Sequence, residues 1–242
     1  MSRIAVLSDI HGNLPALEAV VADAETRGCG LFLNLGDILS GPLWPAETAD
    51  FLMARDWPTI AGNHERQVLT LPAERMNASD AFTRPRLSQA QLDWMATLPA
   101  TLVFDDMLLC HGTPASDVAP LVETLEPSGL RAASEAEIAA RLEGRSERMV
   151  LCGHTHLPRI HALADGRQVV NPGSVGLQAY DDDQPWPYRV ENGDPLARYA
   201  VVERESITLH AVPYDHPAAA RKAASEGRAD WAIALATGRM HD

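Results

Sequence analysis

Ile4-Ala5-Val6-Leu7-Ser8-Asp9-Ile10-His11-Gly12-Asn13 begins as a short apolar run and ends in a polar turn closed by glycine and asparagine. The run over 4–7 reads as a strand. Asn13 caps a helical pattern in which Leu14, Leu17, Val20, Val21 and Ala24 recur at helical spacing until Gly28. Residues 31–35 repeat the scheme: Gly36-Asp37 and Gly41-Pro42 break the chain, and 45–55 reads as a second helix. Strand, turn and helix in that alternation are the mark of an α/β fold.

Working outward, residues 59–61 predict a brief third strand, and Gly62-Asn63-His64-Glu65 opens a helix to about residue 71. The polar stretch 72–86 has no period that assigns it. Ser88-Gln89-Ala90-Gln91 and Ser134-Glu135-Ala136-Glu137 match capping boxes and start helices to about residues 98 and 142. From residue 101 onward the apolar runs pair as hairpins: 101–104 with 107–110, 159–163 with 168–170, and 200–203 with 207–212. Residues 149–152 add a buried strand, and 217–236 is alanine-rich and helical by propensity. Early alternation and later hairpins predict two sheets packed face to face with helices on their outer faces, a layered α/β sandwich.

The chain has 242 residues, and no shift of composition marks a linker, so one domain over 1–242 is expected. An apolar share of 46% with 22% charged residues is that of a soluble globular protein, and no apolar run approaches the roughly 18 residues of a membrane span. The first apolar run is too short for a signal-peptide core, and three scattered cysteines, Cys29, Cys110 and Cys152, suit a reducing compartment. A cytoplasmic protein is expected. A formal charge of -13 disfavours long DNA or RNA as a partner but not a small anion, because bound cations dominate the field of a metal site.

Nearly every candidate strand in the first two-thirds ends in a glycine-punctuated turn holding a metal-competent side chain. These are Asp9 and His11, Asp37, Asn63 and His64, His111, and His154 with His156. Ligands of open α/β sheets gather at the carboxyl ends of strands, so turns spread over about 150 positions can converge on one rim. The two-residue spacing of Asp9 with His11, and of His154 with His156, puts each pair on one face if the backbone is extended. Gly12, Gly36, Gly62, Gly112 and Gly153 admit turns and close backbone approach. A lone histidine near a strand end is usually a surface or satisfied core residue, and a lone Gly-Asp only a turn. Five such elements together would place costly polar groups at the ends of apolar strands without partners, whereas cations would satisfy them. His161, His210, His216 and His241 lack such turns and are not expected to be ligands. Cys110 and Cys152 read as buried strand packing.

The order Asp9-Ile10-His11, Gly36-Asp37, Gly62-Asn63-His64-Glu65, His111-Gly112 and Gly153-His154-Thr155-His156 resembles the five-motif signature of the calcineurin-like metallophosphoesterases. The likeness covers residues 4 to about 176. Asn171-Pro172-Gly173-Ser174-Val175-Gly176 and Val212-Pro213-Tyr214-Asp215 are similar to segments of that family's small bacterial branch. The resemblance implies a four-layer αββα sandwich of two mixed sheets and a two-metal centre bridged by Asp37. Asp9, His11 and His156 would complete one ion's ligands, and Asn63, His111 and His154 the other's. Mixed nitrogen and oxygen donors fit Mn²⁺, Fe, Zn²⁺ or Ni²⁺ better than Ca²⁺ and do not choose among the four; Mn²⁺ is the expected ion, with the others as alternatives. Two such ions about 3.5 to 4 Å apart lower the pKa of bound water from about 15.7 to near 7 and supply hydroxide for in-line attack on a phosphate ester. His64 matches the family's non-ligand histidine, expected to protonate the leaving oxygen or to stabilise charge there, while Asn63 suits ligation and orientation.

Two departures stand out. Ser40 occupies the position where the protein serine/threonine phosphatase branch carries an aspartate beside its histidine, which disfavours that branch and leaves open what orients His64. The acidic loop 180–195 is longer than the small bacterial branch needs, and offers Trp186, Tyr188 and Arg189 as a pocket wall, as a dimer contact in a homo-oligomer, or as a solvated loop. A small phosphate ester is the expected substrate, a phosphodiester slightly ahead of a monoester. A non-catalytic protein-binding scaffold of the same fold is the alternative, disfavoured because a scaffold need not retain the full ligand set.

Overall fold

In the computed structural model, which describes residues 3–142 and 144–241, the opening apolar run is β1 (Arg3–Leu7). Of the single domain expected over 1–242, Met1, Ser2, Glu143 and Asp242 lie outside the described residues. Next come α1 (Leu14–Thr26), β2 (Cys29–Asn34), α2 (Pro45–Met53), α3 (Asn63–Thr70), α4 (Ala78–Thr83), α5 (Gln89–Met95), β3 (Thr101–Phe104) and β4 (Met107–Cys110). The remainder is β5 (Glu123–Glu126), β6 (Gly129–Ala132), α6 (Glu135–Arg141), β7 (Met149–Leu151), β8 (Arg159–Ala162), β9 (Gln168–Asn171), β10 (Ala179–Asp182), β11 (Tyr188–Glu191), β12 (Ala197–Glu203), β13 (Ser206–Val212), α7 (His216–Ser225) and α8 (Ala229–Thr237).

Two mixed sheets organise these elements. One has the order β13-β12-β1-β2, with β1 parallel to β2 and antiparallel to β12. The other has the order β3-β4-β7-β9-β8, its three central strands parallel and its edges antiparallel. Side-chain alternation along the strands builds the layers. Val6 of β1, Leu109 of β4, Leu151 of β7 and Val202 of β12 meet between the sheets. Their neighbours Ala5 and Leu7 face outward onto Leu17, Val20 and Val21 of α1, with Leu52 of α2 and Leu92 of α5 in the same layer. Leu108, Val150 and Val169 face the opposite way onto Ile138 of α6 and Leu142. The result is a four-layer αββα sandwich. Among the described residues no helix is long and apolar enough to cross a membrane.

The local signals act as read. Asn13 Oδ1 accepts from Ala16 N at 3.3 Å, and both capping boxes close, with Gln91 and Glu137 reaching back to the backbone of Ser88 and Ser134. Other readings need correction. Residues 59–61 make a single bridge, Asn34 with Thr59, instead of a strand, because Pro58 cannot donate and α3 already begins at Asn63. The alanine-rich tail divides into α7 and α8 at Gly227, whose φ of +77° a helix cannot continue through. The acidic loop contains a two-stranded ribbon, β10 with β11, and a further hairpin, β5 with β6, went unread. The unassigned stretch 72–86 contains α4, capped by Asn77 Oδ1 on Ser79 N and Asp80 N.

Candidate metal centre

The turns after the parallel strands are laced together by backbone hydrogen bonds. Leu35 N donates to Leu7 O, Asp9 N to Gly36 O and His11 N to Asp37 O, at 2.9 to 3.0 Å, so the first two turns run side by side. On the second sheet Gly153 N donates to His111 O at 2.7 Å. Links between the rims complete the arrangement: His154 N donates to Asp9 Oδ2 at 3.2 Å, and His111 Nδ1 to Leu35 O at 2.7 Å. The loop 171–176 also closes on the first turn, through Val175 N to Ser8 O, Gly176 N to Asp9 O and Ser174 Oγ to Asp9 O.

All eight side chains singled out from sequence meet at this rim. Asp9, His11 and His156 form one cluster with potential ligand atoms within 4.8 Å of one another, and Asp37, His111 and His154 form a second. Asn63 lines the same cavity as Asp37 and His154, and its buried Oδ1 has no hydrogen-bond partner among the described residues. His64 lines it too. The route to convergence differs from the expected one. Asp9, His11, Asp37, His154 and His156 have φ between +53° and +70°, so the two-residue pairs stand on left-handed turns and not on extended backbone. Among the described residues these are five of the seven non-glycine positions with positive φ. Each costs on the order of 1–3 kcal/mol, and strain of this kind concentrates where side chains must be aimed. Close approach explains Gly62: a Cβ there would stand 2.2 Å from Asp37 Oδ1.

The ring nitrogens define what the site can hold. His11 Nδ1 lies 2.8 Å from Ser40 O, His156 Nδ1 2.8 Å from Leu177 O, and His111 Nδ1 2.7 Å from Leu35 O. A carbonyl can only accept, so each Nδ1 carries the proton and each neutral ring presents a bare Nε2 lone pair. Those lone pairs face one another or carboxylates: His11 Nε2 is 3.1 Å from His156 Nε2, and His111 Nε2 is 2.9 Å from Asp37 Oδ2, off the hydrogen-bond direction. Such contacts repel unless a cation or proton stands between them. Asp9 Oδ1 is likewise buried without a hydrogen bond among the described residues.

Protonation answers this unevenly. Burial, with His156 and His64 nearby, pushes His11 down to about 3, and burial with His111 pushes His154 down to about 4. At His111 burial is outweighed by Asp37, which holds the ring up at about 10. Burial would raise Asp9 and Asp37, but neighbouring histidines hold Asp9 at about 2 and Asp37 well below the usual carboxylate range. A set of one carboxylate and two imidazoles on each side, with Asn63 beside Asp37, fits divalent transition metals.

Two buried carboxylates around this site were not read from sequence as having any role. Glu65 accepts from Gly62 N and Asp37 N through Oε2 and from Ile38 N through Oε1, at 2.8 to 2.9 Å, fixing the turn that carries Asp37. Its place in Gly62-Asn63-His64-Glu65, three residues after a helix-capping glycine, was the available signal. Asp80, from α4, places Oδ1 2.7 Å from His64 Nδ1, and nothing in the polar stretch around it pointed there. His64 is drawn up to about 9, since Asp37 and Asp80 outweigh the effect of its burial.

The cavity over the rim measures about 370 Å³. Tyr180 and Tyr188 of the β10–β11 ribbon line it, as do Arg228 and Trp231 at the start of α8. Tyr188 is therefore a wall residue as one reading had it, whereas Trp186 is exposed and not among the lining residues described.

Known proteins share this architecture. A model of the calcineurin-like phosphoesterase superfamily domain matches residues 2–188. An uncharacterized protein of Methanocaldococcus jannaschii is 25% identical over 257 aligned positions, covering 95% of each chain. Among solved structures, a metallophosphoesterase from Sphaerobacter thermophilus aligns over 98% of this chain and 99% of its own, with a TM-score of 0.76 and 24% identity. A hypothetical protein from Pyrococcus horikoshii aligns over 100% of both chains with a TM-score of 0.78 and 19% identity. With two ligand clusters meeting at the strand ends of an αββα sandwich and the family match spanning most of its length, the chain belongs to the calcineurin-like phosphoesterase superfamily.

Proposed function

We propose that this protein is a binuclear metal-dependent phosphoesterase acting on a small phosphate ester, with a phosphodiester slightly ahead of a monoester. Asp9, His11 and His156 would hold one ion, Asn63, His111 and His154 the other, and Asp37 would be shared. The observation that carries this reading is the pair of bare Nε2 atoms of His11 and His156, 3.1 Å apart, with both Nδ1 protons committed to carbonyls. A cation between the two rings would relieve that contact, and burial, with His156 and His64 nearby, holds His11 near 3, against a proton on that ring.

Two divalent ions would supply a nucleophilic water at neutral pH and neutralise phosphate oxygens. The chain provides the rest. Backbone strain and Glu65 aim the carboxylates, Asn63 orients without titrating, and His64 presents Nε2 as donor to the leaving oxygen. A cavity of about 370 Å³ favours a compact ester over a phosphoprotein. Mn²⁺ is the ion we favour, and three free buried cysteines fit a cytoplasmic setting.

Turnover of bis(p-nitrophenyl) phosphate and p-nitrophenyl phosphate, with and without Mn²⁺, Fe²⁺, Zn²⁺ or Ni²⁺, tests the proposal. Metal-dependent cleavage of either ester is expected. Cleavage of neither with any ion would favour the scaffold reading.

A further inference from the structure

We propose that Asp80 is a positioning residue for the hydrolysis, holding His64 in the orientation that aims Nε2 into the cavity, with Ser40 and Asn77 as its clamps. The inference rests on the hydrolase reading above and extends it to a residue outside the ligand turns. Asp80 is fully buried, and among the described residues its side chain is held by His64, Ser40 and Asn77 and by neither lysine nor arginine. A buried carboxylate without a lysine or arginine partner is costly and needs its lone pairs satisfied by other donors.

The satisfaction is directional. Asp80 Oδ1 accepts from His64 Nδ1 at 2.7 Å and from Ser40 Oγ at 2.5 Å, and Asp80 Oδ2 accepts from Asn77 Nδ2 at 2.8 Å. Asn77 is itself fixed, because its Oδ1 caps α4 on Ser79 N and Asp80 N at 2.9 Å. The carboxylate therefore cannot rotate without breaking a clamp, and it can only accept, so His64 must keep its proton on Nδ1. Nε2 is left for the cavity that His64 lines. Ser40 ties this device to the metal rim, since its carbonyl accepts from His11 Nδ1 while its hydroxyl holds Asp80. The carboxylate absent from position 40 is thus supplied by α4, about 40 positions further along the chain, and the serine left there serves as its clamp.

The test uses the full-length protein loaded with Mn²⁺ and compares kcat on the p-nitrophenyl and phenyl esters of whichever ester class the wild type cleaves. Asp80→Asn keeps the shape but loses the obligate acceptor. We expect kcat on the phenyl ester to fall about 10²-fold, in line with loss of positioned proton transfer. The fall on the p-nitrophenyl ester should be smaller, because its anion leaves without a proton, with KM and metal content unchanged. In a His64→Ala background Asp80→Asn should add no further loss. Ser40→Ala should repeat the same ester bias at about tenfold, the worth of one buried hydrogen bond, and decides the matter alone if Asp80→Asn does not fold. Equal losses on both esters, or a loss that persists in the His64→Ala background, would overturn the assignment of Asp80. A wild type inactive on every ester would instead overturn the hydrolase reading on which it rests.

Discussion

His11 Nε2 stands 3.1 Å from His156 Nε2 while Ser40 O and Leu177 O hold the opposite nitrogens of the two rings. This pairing makes a definite demand on the surroundings, since two lone pairs at that distance repel and the local field resists a proton on His11. If ions meet the demand, occupancy must follow the ligand sets. Asp37→Asn should lower metal content at both positions, whereas His11→Ala should remove close to one ion per chain, read by inductively coupled plasma mass spectrometry on dialysed protein. Unchanged stoichiometry in both variants would contradict the assignment.

Metal-free protein should have a stability maximum near pH 6.5. His64 and His111 are raised to about 9 and about 10, so the stability they confer is present below the unfolded value of 6.5 and is lost as pH rises through those folded values. His11 and His154 are lowered to about 3 and about 4, so below 6.5 the unfolded chain takes protons that the folded site refuses. Stability then falls on the acid side as well. Metal should flatten the alkaline limb, because ions offset the Asp37 charge that raises both His64 and His111. Urea denaturation from pH 4.5 to 10, with and without Mn²⁺, checks both statements; a metal-free profile still rising at pH 9 would refute them.

Glu65→Gln should destabilise the fold by about 1–3 kcal/mol, because the amide keeps one accepting oxygen and its NH2 would face at least one of the three backbone N–H groups that the carboxylate now serves. The turn carrying Asp37 would loosen, so metal affinity should drop together with the denaturation midpoint. A loss of stability with metal affinity intact would mean that Glu65 anchors α3 and leaves Asp37 alone.

Gly62→Ala tests close approach. Its Cβ would fall 2.2 Å from Asp37 Oδ1 and 2.7 Å from Asp37 N, so Asp37 must move. Overpacking of this kind costs about 1–3 kcal/mol, and here activity should fall further than the stability loss explains. Gly28→Ala serves as control, because it adds no contact, although its φ of +80° carries a backbone cost of its own.

Much of this site could be read in the chain because each ligand turn joins an apolar strand to a glycine, and strand ends in an α/β sandwich share a rim. Asp9, His11, Asp37, Asn63, His111, His154 and His156 were legible on that ground. The backbone that presents them was not: spacing alone suggested extended pairs at Asp9–His11 and His154–His156, and the left-handed φ values arise from tertiary bonds such as Asp9 N to Gly36 O. Asp80 was illegible because its meaning depends on a partner 16 positions away, across a polar stretch with no period. The β10–β11 ribbon was hidden by an acidic, proline-containing sequence with poor strand propensity, whose pairing places Tyr188 across from Asp182. The third strand was over-read, since three apolar or β-branched residues after Pro58 suffice for one bridge only.

The most direct test of the account is anomalous diffraction at the manganese edge from crystals grown with Mn²⁺. Two peaks per chain are predicted, about 3.5 to 4 Å apart, with Asp37 in contact with both and with His11 and His156 sharing one of them. A single peak, or peaks that do not touch Asp37, would contradict it.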